Sequence, residues 1–160
     1  MSICHEVFTK ITYFYYSLID IFIIIYYNFH GDFMLQKETI IDLIQTAIKQ
    51  LDYSYTPYSN FKVGAALLGK NNKIYTGCNI ENAAYTPTNC AERTAFFKAV
   101  SEGVREFQAI CVVGGKDGIL TEYAAPCGVC RQVMMEFCNP DEFQIILATS
   151  TEQYEIFTLS

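Results

Sequence analysis

The chain has 160 residues, 51% of them hydrophobic, which is room for one domain with a real core. Its net charge is −6 and no cluster of Lys and Arg occurs, so it lacks the basic footprint of a protein whose main ligand is nucleic acid. Seven cysteines, an odd number outside any short secreted framework, point to a reducing compartment, the cytoplasm.

Residues 1–33 differ from the rest. They hold ten of the 24 aromatic residues, and Ile11 to Phe29 carries no charge except Asp20. The stretch approaches the length of a membrane span, with tyrosines at its ends as interfacial anchors. Against this, an Asp at the centre costs about 2.5–3.5 kcal/mol on insertion scales, and no small-residue cleavage site follows. Three readings stand: a membrane anchor, a helix held on a partner, or a segment translated from upstream of the true start. Met34 opens a well-patterned domain, 34–160, which favours the third. Any membrane association would run through residues 1–33 alone.

From Gln36 to Asp52, apolar residues recur at Ile40, Ile41, Ile44, Ala47, Ile48 and Leu51, the 3.6-residue period of a helix laid on a sheet. The loop Tyr53–Asn60 turns at Pro57, with Tyr53 and Tyr55 expected to cap the core. Phe61–Leu68 and Ile74–Asn79 predict two strands joined across Gly69–Lys73 as an antiparallel hairpin. Phe61, Val63, Ala65 and Leu67 would share one face. Next come Asn79 and Glu81, two apart in extended chain. Their carboxamide and carboxylate suit a grip on a hydroxyl, although a solvated strand end would look similar.

Cys90 opens CAERTAFFKAVSEG, a helix ending at Gly103. Phe107–Gly115 is an apolar run expected to be a strand buried on both faces. The loop Lys116–Ala125 leads to a helix from Cys127 to about Phe137, ended by Asn139-Pro140-Asp141. Phe143–Ala148 and Tyr154–Thr158 complete the set. The order predicts an α/β fold, a mixed sheet with helices on both sides.

The chemistry gathers in Cys90-Ala91-Glu92-Arg93 and in Pro126-Cys127-Gly128-Val129-Cys130-Arg131. Three thiolates are a ligand set that leaves zinc a fourth position for a reactive water. Glu92, two residues past a ligand, is a poor fourth ligand and is placed to move that water's protons. Cys90 and the Cys127–Cys130 pair sit at predicted helix starts, where free amides and the positive dipole end lower a thiol pKa. Three thiolates on Zn²⁺ leave a charge of −1, which Arg93, three residues beyond Cys90, can offset; Arg131 is a weaker candidate. A dithiol redox pair or half of a structural zinc site are competing readings of Cys127 and Cys130, and neither accounts for Cys90 with Glu92 and Arg93. His5 and His30, the only histidines, lie in the N-terminal stretch. Cys78, Cys111 and Cys138 read as small buried residues.

With these residues in view, the chain from about Met34 to Ser160 resembles the small, homotetrameric cytidine deaminases of pyrimidine salvage. The matching stretches are Pro57–Ala66, Gly77–Tyr85, Cys90–Ala95 and Pro126–Gln132. The resemblance implies a three-layer α/β/α sandwich around a five-stranded mixed sheet. It implies hydrolysis of cytidine and 2′-deoxycytidine to uridine or 2′-deoxyuridine plus ammonia, with one Zn²⁺ per subunit on Cys90, Cys127 and Cys130. Glu92 would take a proton from the water, then deliver protons to N3 and to the leaving amino group. Asn79 and Glu81 would hold the ribose 3′-hydroxyl, within a substrate segment that runs through Ile80, Asn82, Ala83, Ala84 and Tyr85. Phe61 would stack on the pyrimidine, backbone groups of Ala91 and of the Pro126–Cys127 turn would read the base edge, and Tyr85 would reach a neighbouring subunit. The partners expected are a nucleoside and further copies of the chain, not nucleic acid.

The chain departs from the pattern at both ends. The first 33 residues are foreign to it, and relatives usually continue with a Leu-Leu-Pro segment where this chain stops at Ser160, which reads as a truncated end. Two alternatives remain: a deaminase of another aminopyrimidine nucleoside, such as a nucleoside antibiotic, and a zinc-holding scaffold without turnover.

Overall fold

The computed structural model describes residues 34–160. The expectations for residues 1–33, with His5 and His30, lie outside that range. Lys37–Ser160 form one compact unit. Helix α1, Lys37–Gln50, runs into a 3₁₀ turn at Leu51–Tyr53. Strands β1 (Phe61–Gly69) and β2 (Ile74–Cys78) follow, then α2 (Ala91–Ser101), β3 (Phe107–Lys116), α3 (Gly128–Phe137), β4 (Gln144–Ala148) and β5 (Tyr154–Phe157). No helix among the described residues is long and apolar enough to cross a membrane.

The five strands make one mixed sheet in the order β2-β1-β3-β4-β5. β1 pairs antiparallel with both β2 and β3, β3 pairs parallel with β4, and β5 returns antiparallel to β4. The hairpin between β1 and β2 closes with Leu68 opposite Ile74, and Asn72 takes a positive φ of 60° in its turn, a conformation asparagine accepts more readily than most residues. β3 is buried as expected. It is parallel on one side only, because its other neighbour is the hairpin strand.

Alternation along the strands separates two faces. Ala65 and Leu67 of β1, Ile110 and Val112 of β3, and Ile145 and Leu147 of β4 join a core cluster with Ala91, Ala95, Phe96 and Ala99 of α2 and Met134 of α3. On the other face, a Cβ at Gly64 would lie 2.1 Å from the Ala47 carbonyl oxygen, so α1 lies against β1 there. Helix α1 buries Ile40, Ile44 and Ala47 of the expected stripe together with Leu43, which is not in it, while Ile41 and Ile48 are half-buried. The result is the expected three-layer α/β/α sandwich. Phe96 anchors α2 from within, its ring centroid 4.9 Å from Phe107 and 6.1 Å from both Phe137 and Phe143; such edge and offset contacts add to the stabilisation from burial alone.

Two expectations about single residues do not hold. Tyr53 and Tyr55 are 71% and 58% exposed and cap no core; Tyr53 ends the 3₁₀ turn and Tyr55 lies in the loop that follows it. Of the three cysteines read as buried, Cys111 is, while Cys78 and Cys138 are half-buried.

Candidate active site

Both sulfur-bearing stretches fold as helix entrances. Cys90 caps α2 in extended conformation (φ −75°, ψ 156°) and Cys127 does the same for α3 (φ −68°, ψ 165°), while Cys130 lies in the first turn of α3. Neither capping cysteine bonds its own helix end. The sulfurs instead turn toward one another: Cys90 Sγ lies 3.9 Å from Cys127 Sγ, which lies 3.6 Å from Cys130 Sγ. All three fall within 4.8 Å of one another. Two sulfurs bound at ~2.3 Å to a tetrahedral zinc stand roughly 3.8 Å apart. The donor set and its spacing therefore fit that ion.

The position of α2 is dictated by β2. A Cβ at Gly77 would sit 2.2 Å from the Ala91 carbonyl oxygen and 2.6 Å from the Ala95 nitrogen, so only glycine lets the first turn of α2 rest on the strand. Thr94 fastens the same seam. Its Oγ1 lies 3.1 Å from the carbonyl oxygens of Cys78 and Cys90, and accepts a bond from Asn89 Nδ2 at 3.0 Å.

Arg93 occupies the place its spacing predicts. Its Nη2 donates to Cys90 Sγ at 3.6 Å and to the Thr88 carbonyl at 3.1 Å. Arg131 is exposed. The Cys90 thiol is lowered to about 5, first by its bond with Cys130 and then by Arg93 and Cys127. Cys130 shifts upward, because it holds the proton of that shared bond. Metal binding displaces such protons. Glu92 is only 4% exposed and is, with Gln144, one of two polar side chains buried among the described residues. Burial is the main cause that raises its carboxyl above the ordinary value of 4.5, with the Cys90 charge adding to it.

Asn79 and Glu81 are placed differently from a free pair awaiting a hydroxyl. Asn79 Oδ1 accepts from the Val63 amide and its Nδ2 donates to the Phe61 carbonyl, both at 2.8 Å. Glu81 Oε2 accepts from the amides of Tyr58 (2.9 Å) and Ser59 (3.3 Å), and its Oε1 accepts from Ser59 Oγ at 2.5 Å. These bonds, chiefly that from Ser59, hold the Glu81 carboxyl below its ordinary value. Asn79 keeps one N–H and one lone pair in reserve, and Glu81 one acceptor site. Backbone bridges fix the segment from both sides: Tyr55 pairs with Ile80, and Ile80 pairs with Asn89.

Phe61, at the start of β1, is 41% exposed and shares the face that carries Ala65, Leu67 and the two sulfur-bearing helices. Ala91, the first residue of α2, is fully buried. Asn82 Oδ1 accepts from the Ala84 amide at 3.0 Å, and its own amide donates to Thr88 Oγ1 at 3.1 Å. Ala83, Ala84 and Tyr85 lie on the surface, Tyr85 at 92% exposure. Sequence reasoning missed Ser59, Asn89 and Thr94. Ser59 is legible only as a turn residue after Pro57, and Thr94 only as a hydroxyl four residues past Cys90, the spacing of a helical back-bond.

Residues 37–146 match the family model described as the cytidine and deoxycytidylate deaminase zinc-binding region. A cytidine deaminase of Sporosarcina psychrophila is 59% identical over 97 residues, which are 61% of this chain and 68% of that protein. One from Halalkalibacterium halodurans is 54% identical over 99 residues, 62% of this chain and 72% of that protein. Among solved structures, a cytidine deaminase from Burkholderia pseudomallei superposes with a TM-score of 0.67 at 44% identity, covering 74% of this chain and 91% of its own. The matched range takes in Cys90, Glu92, Cys127 and Cys130 as well as most of the sheet, and the chain belongs to the zinc-binding cytidine and deoxycytidylate deaminase family.

Proposed function

We infer that this protein hydrolyses cytidine to uridine and ammonia with the help of zinc, and that it acts on 2′-deoxycytidine in the same way. The observation that carries the reading is the three-sulfur cluster with buried Glu92 two residues from its first member. Cys90, Cys127 and Cys130 would hold Zn²⁺. When bound, the ion supplies a Lewis acid that makes a water acidic enough to react near neutral pH.

Glu92 would take a proton from the attacking water as the oxygen of that water bonds to C4 of the ring. Glu92 would pass that proton to N3, then take the remaining proton from the hydroxyl formed at C4 and give it to the amino group, so that the C4–N bond breaks to free ammonia as the C4 carbonyl forms. Burial shifts this carboxyl upward, toward the working pH, the direction that suits a group which must both take and return a proton. Arg93 draws charge from the Cys90 sulfur and keeps the sulfur cluster from weakening the metal's pull. Phe61 offers its ring to the face of the pyrimidine, and the backbone at Ala91 and at Pro126–Cys127 reads its edge. The remaining donor and acceptors of Asn79 and Glu81 receive the 3′-hydroxyl, within the segment Ile80–Tyr85. A grip on that hydroxyl leaves the 2′ position free, which accommodates ribose and deoxyribose alike. Free cytosine lacks the sugar and leaves the clasp short of a partner, so it is a poor substrate.

Residues 34–160 constitute the deaminase domain in this reading, residues 1–33 being an extension. The exposed Tyr85 loop suits contact with a second copy, and the assembly proposed is a homotetramer, cytoplasmic and engaged in pyrimidine salvage. The net charge of −6 argues for a small nucleoside over a polynucleotide. The test follows the loss of cytidine ultraviolet absorbance on adding purified protein, with and without a chelator. Chelator-sensitive conversion is expected; no conversion of cytidine by zinc-loaded protein overturns the reading.

A further inference from the structure

The side chains proposed to hold the sugar do not stand apart from the residue proposed to hold the base. Ser59 connects them. Its hydroxyl donates to Glu81 Oε1 at 2.5 Å and accepts from the Phe61 amide at 2.9 Å, while its own amide donates to Glu81 Oε2 at 3.3 Å. A serine hydroxyl has one proton, and here it goes to a carboxylate, the stronger kind of acceptor. Its lone pair is then free for Phe61 N–H. From the other side, Asn79 grips the Phe61 carbonyl and the Val63 amide. Phe61 is therefore held at its amide through Ser59 and Glu81, and at its carbonyl by Asn79.

Backbone geometry supports the same reading. Asn60, between Ser59 and Phe61, sits at a positive φ of 57°, and Asp117, at the end of β3, at 55°. The Asp117 amide donates to the Asn60 carbonyl at 2.7 Å. A sharply turned backbone just before β1 and just after β3 is thus maintained where Phe61 enters the sheet. Non-glycine residues adopt this conformation at a cost, and it persists where surrounding bonds impose it.

We propose that Ser59 is a positioning residue, which ties the sugar-holding carboxylate of Glu81 to the base-stacking ring of Phe61 so that base and sugar are bound as one unit. The proposal rests on the roles of Glu81 and Phe61 inferred above. It assigns Ser59 no contact with the reacting atoms. Replacing the hydroxyl disconnects the two halves: Phe61 loses a support at its amide, and Glu81 loses its side-chain donor.

The test compares Ser59→Ala with Ser59→Thr on cytidine and on 3′-deoxycytidine. In Ser59→Ala, kcat/KM for cytidine should fall roughly tenfold, as for loss of one bond to a charged group, with the fall carried mostly by KM. The preference for cytidine over 3′-deoxycytidine should shrink as well, because Glu81 is no longer held for the 3′-hydroxyl. Ser59→Thr keeps a hydroxyl and should return both quantities to within about twofold of the parent. Zinc per chain, from elemental analysis, should be the same in all three proteins. As a readout independent of turnover, calorimetric binding of uridine should weaken in Ser59→Ala by a similar factor and recover in Ser59→Thr. Parent-like KM and sugar preference in Ser59→Ala would overturn the proposal, as would equal losses in both variants or a loss of zinc. If the zinc-loaded parent itself does not convert cytidine, the functional reading fails; if the parent converts it and Ser59→Ala behaves identically, only the role of Ser59 fails.

Discussion

At Glu92 burial and proton traffic meet in one side chain. It is almost fully enclosed, and its carboxyl stands above the ordinary range because of that enclosure. Glu92→Gln keeps shape and volume while removing the exchangeable proton. It should retain zinc by elemental analysis and lose about 10²–10⁴-fold in kcat; turnover near that of the parent would refute the shuttle. Glu81 shows the opposite shift and yields a prediction about stability. Its folded carboxyl lies below the ordinary 4.5, so the stabilisation from its bonds is present above that pH and is lost as pH falls through the depressed value. Chemical denaturation of the parent and of Glu81→Gln should differ most near neutrality and converge in acid, because a protonated carboxyl and an amide then offer Tyr58 and Ser59 similar partners. A gap that widens in acid would contradict the assignment of those bonds. Arg93 teaches a related lesson about distance in sequence. Its spacing from Cys90 was enough to foresee their contact, whereas its second partner, the Thr88 carbonyl, lies in an irregular loop that no periodicity describes.

Among the elements, the seam between β2 and α2 carries the site. A methyl group at Gly77 would strike the backbone of Ala91 and Ala95, and backbone cannot swing aside as a long side chain does. Gly77→Ala should destabilise the protein by about 1–3 kcal/mol in urea melts and depress kcat/KM, since α2 carries Cys90 and Glu92. An alanine variant with parent-like stability and rate would show that α2 shifts without consequence. Much at this scale was legible beforehand. The 3.6-residue stripe marked α1, the alternation of β1 put Ala65 and Leu67 on one face, and the two cysteine stretches marked the entrances of α2 and α3. What local pattern cannot supply is partner choice. That β1 lies between β2 and β3, or that Glu81 closes on Ser59, depends on residues far apart in the chain. The same ignorance misplaced Tyr53 and Tyr55, since an aromatic side chain reads as core until the layer that would cover it proves to be elsewhere.

For the molecule as a whole, the sulfurs join two helices, α2 and α3, that the chain separates by the whole of β3. An ion bound at Cys90, Cys127 and Cys130 stabilises the native form by mass action, because the unfolded chain does not hold the three sulfurs together. Chelation should therefore lower Tm, by roughly 2–8 °C for each kcal/mol of binding free energy lost, and added zinc should restore it. An unchanged Tm after verified removal of zinc would mean that the sulfur cluster does not clasp the fold. The spacing of the ligands along the chain has a further consequence during synthesis. Ser59, Phe61, Asn79 and Glu81 all leave the ribosome before Cys90, and two of the three sulfurs follow only after β3 has been made. A nascent chain stalled ahead of Cys127 carries every residue of the sugar clasp and only one of the three ligands of the sulfur cluster, Cys90. Such a fragment lacks the three-sulfur set of the native site, so loading of the metal there belongs to the last part of the protein's birth.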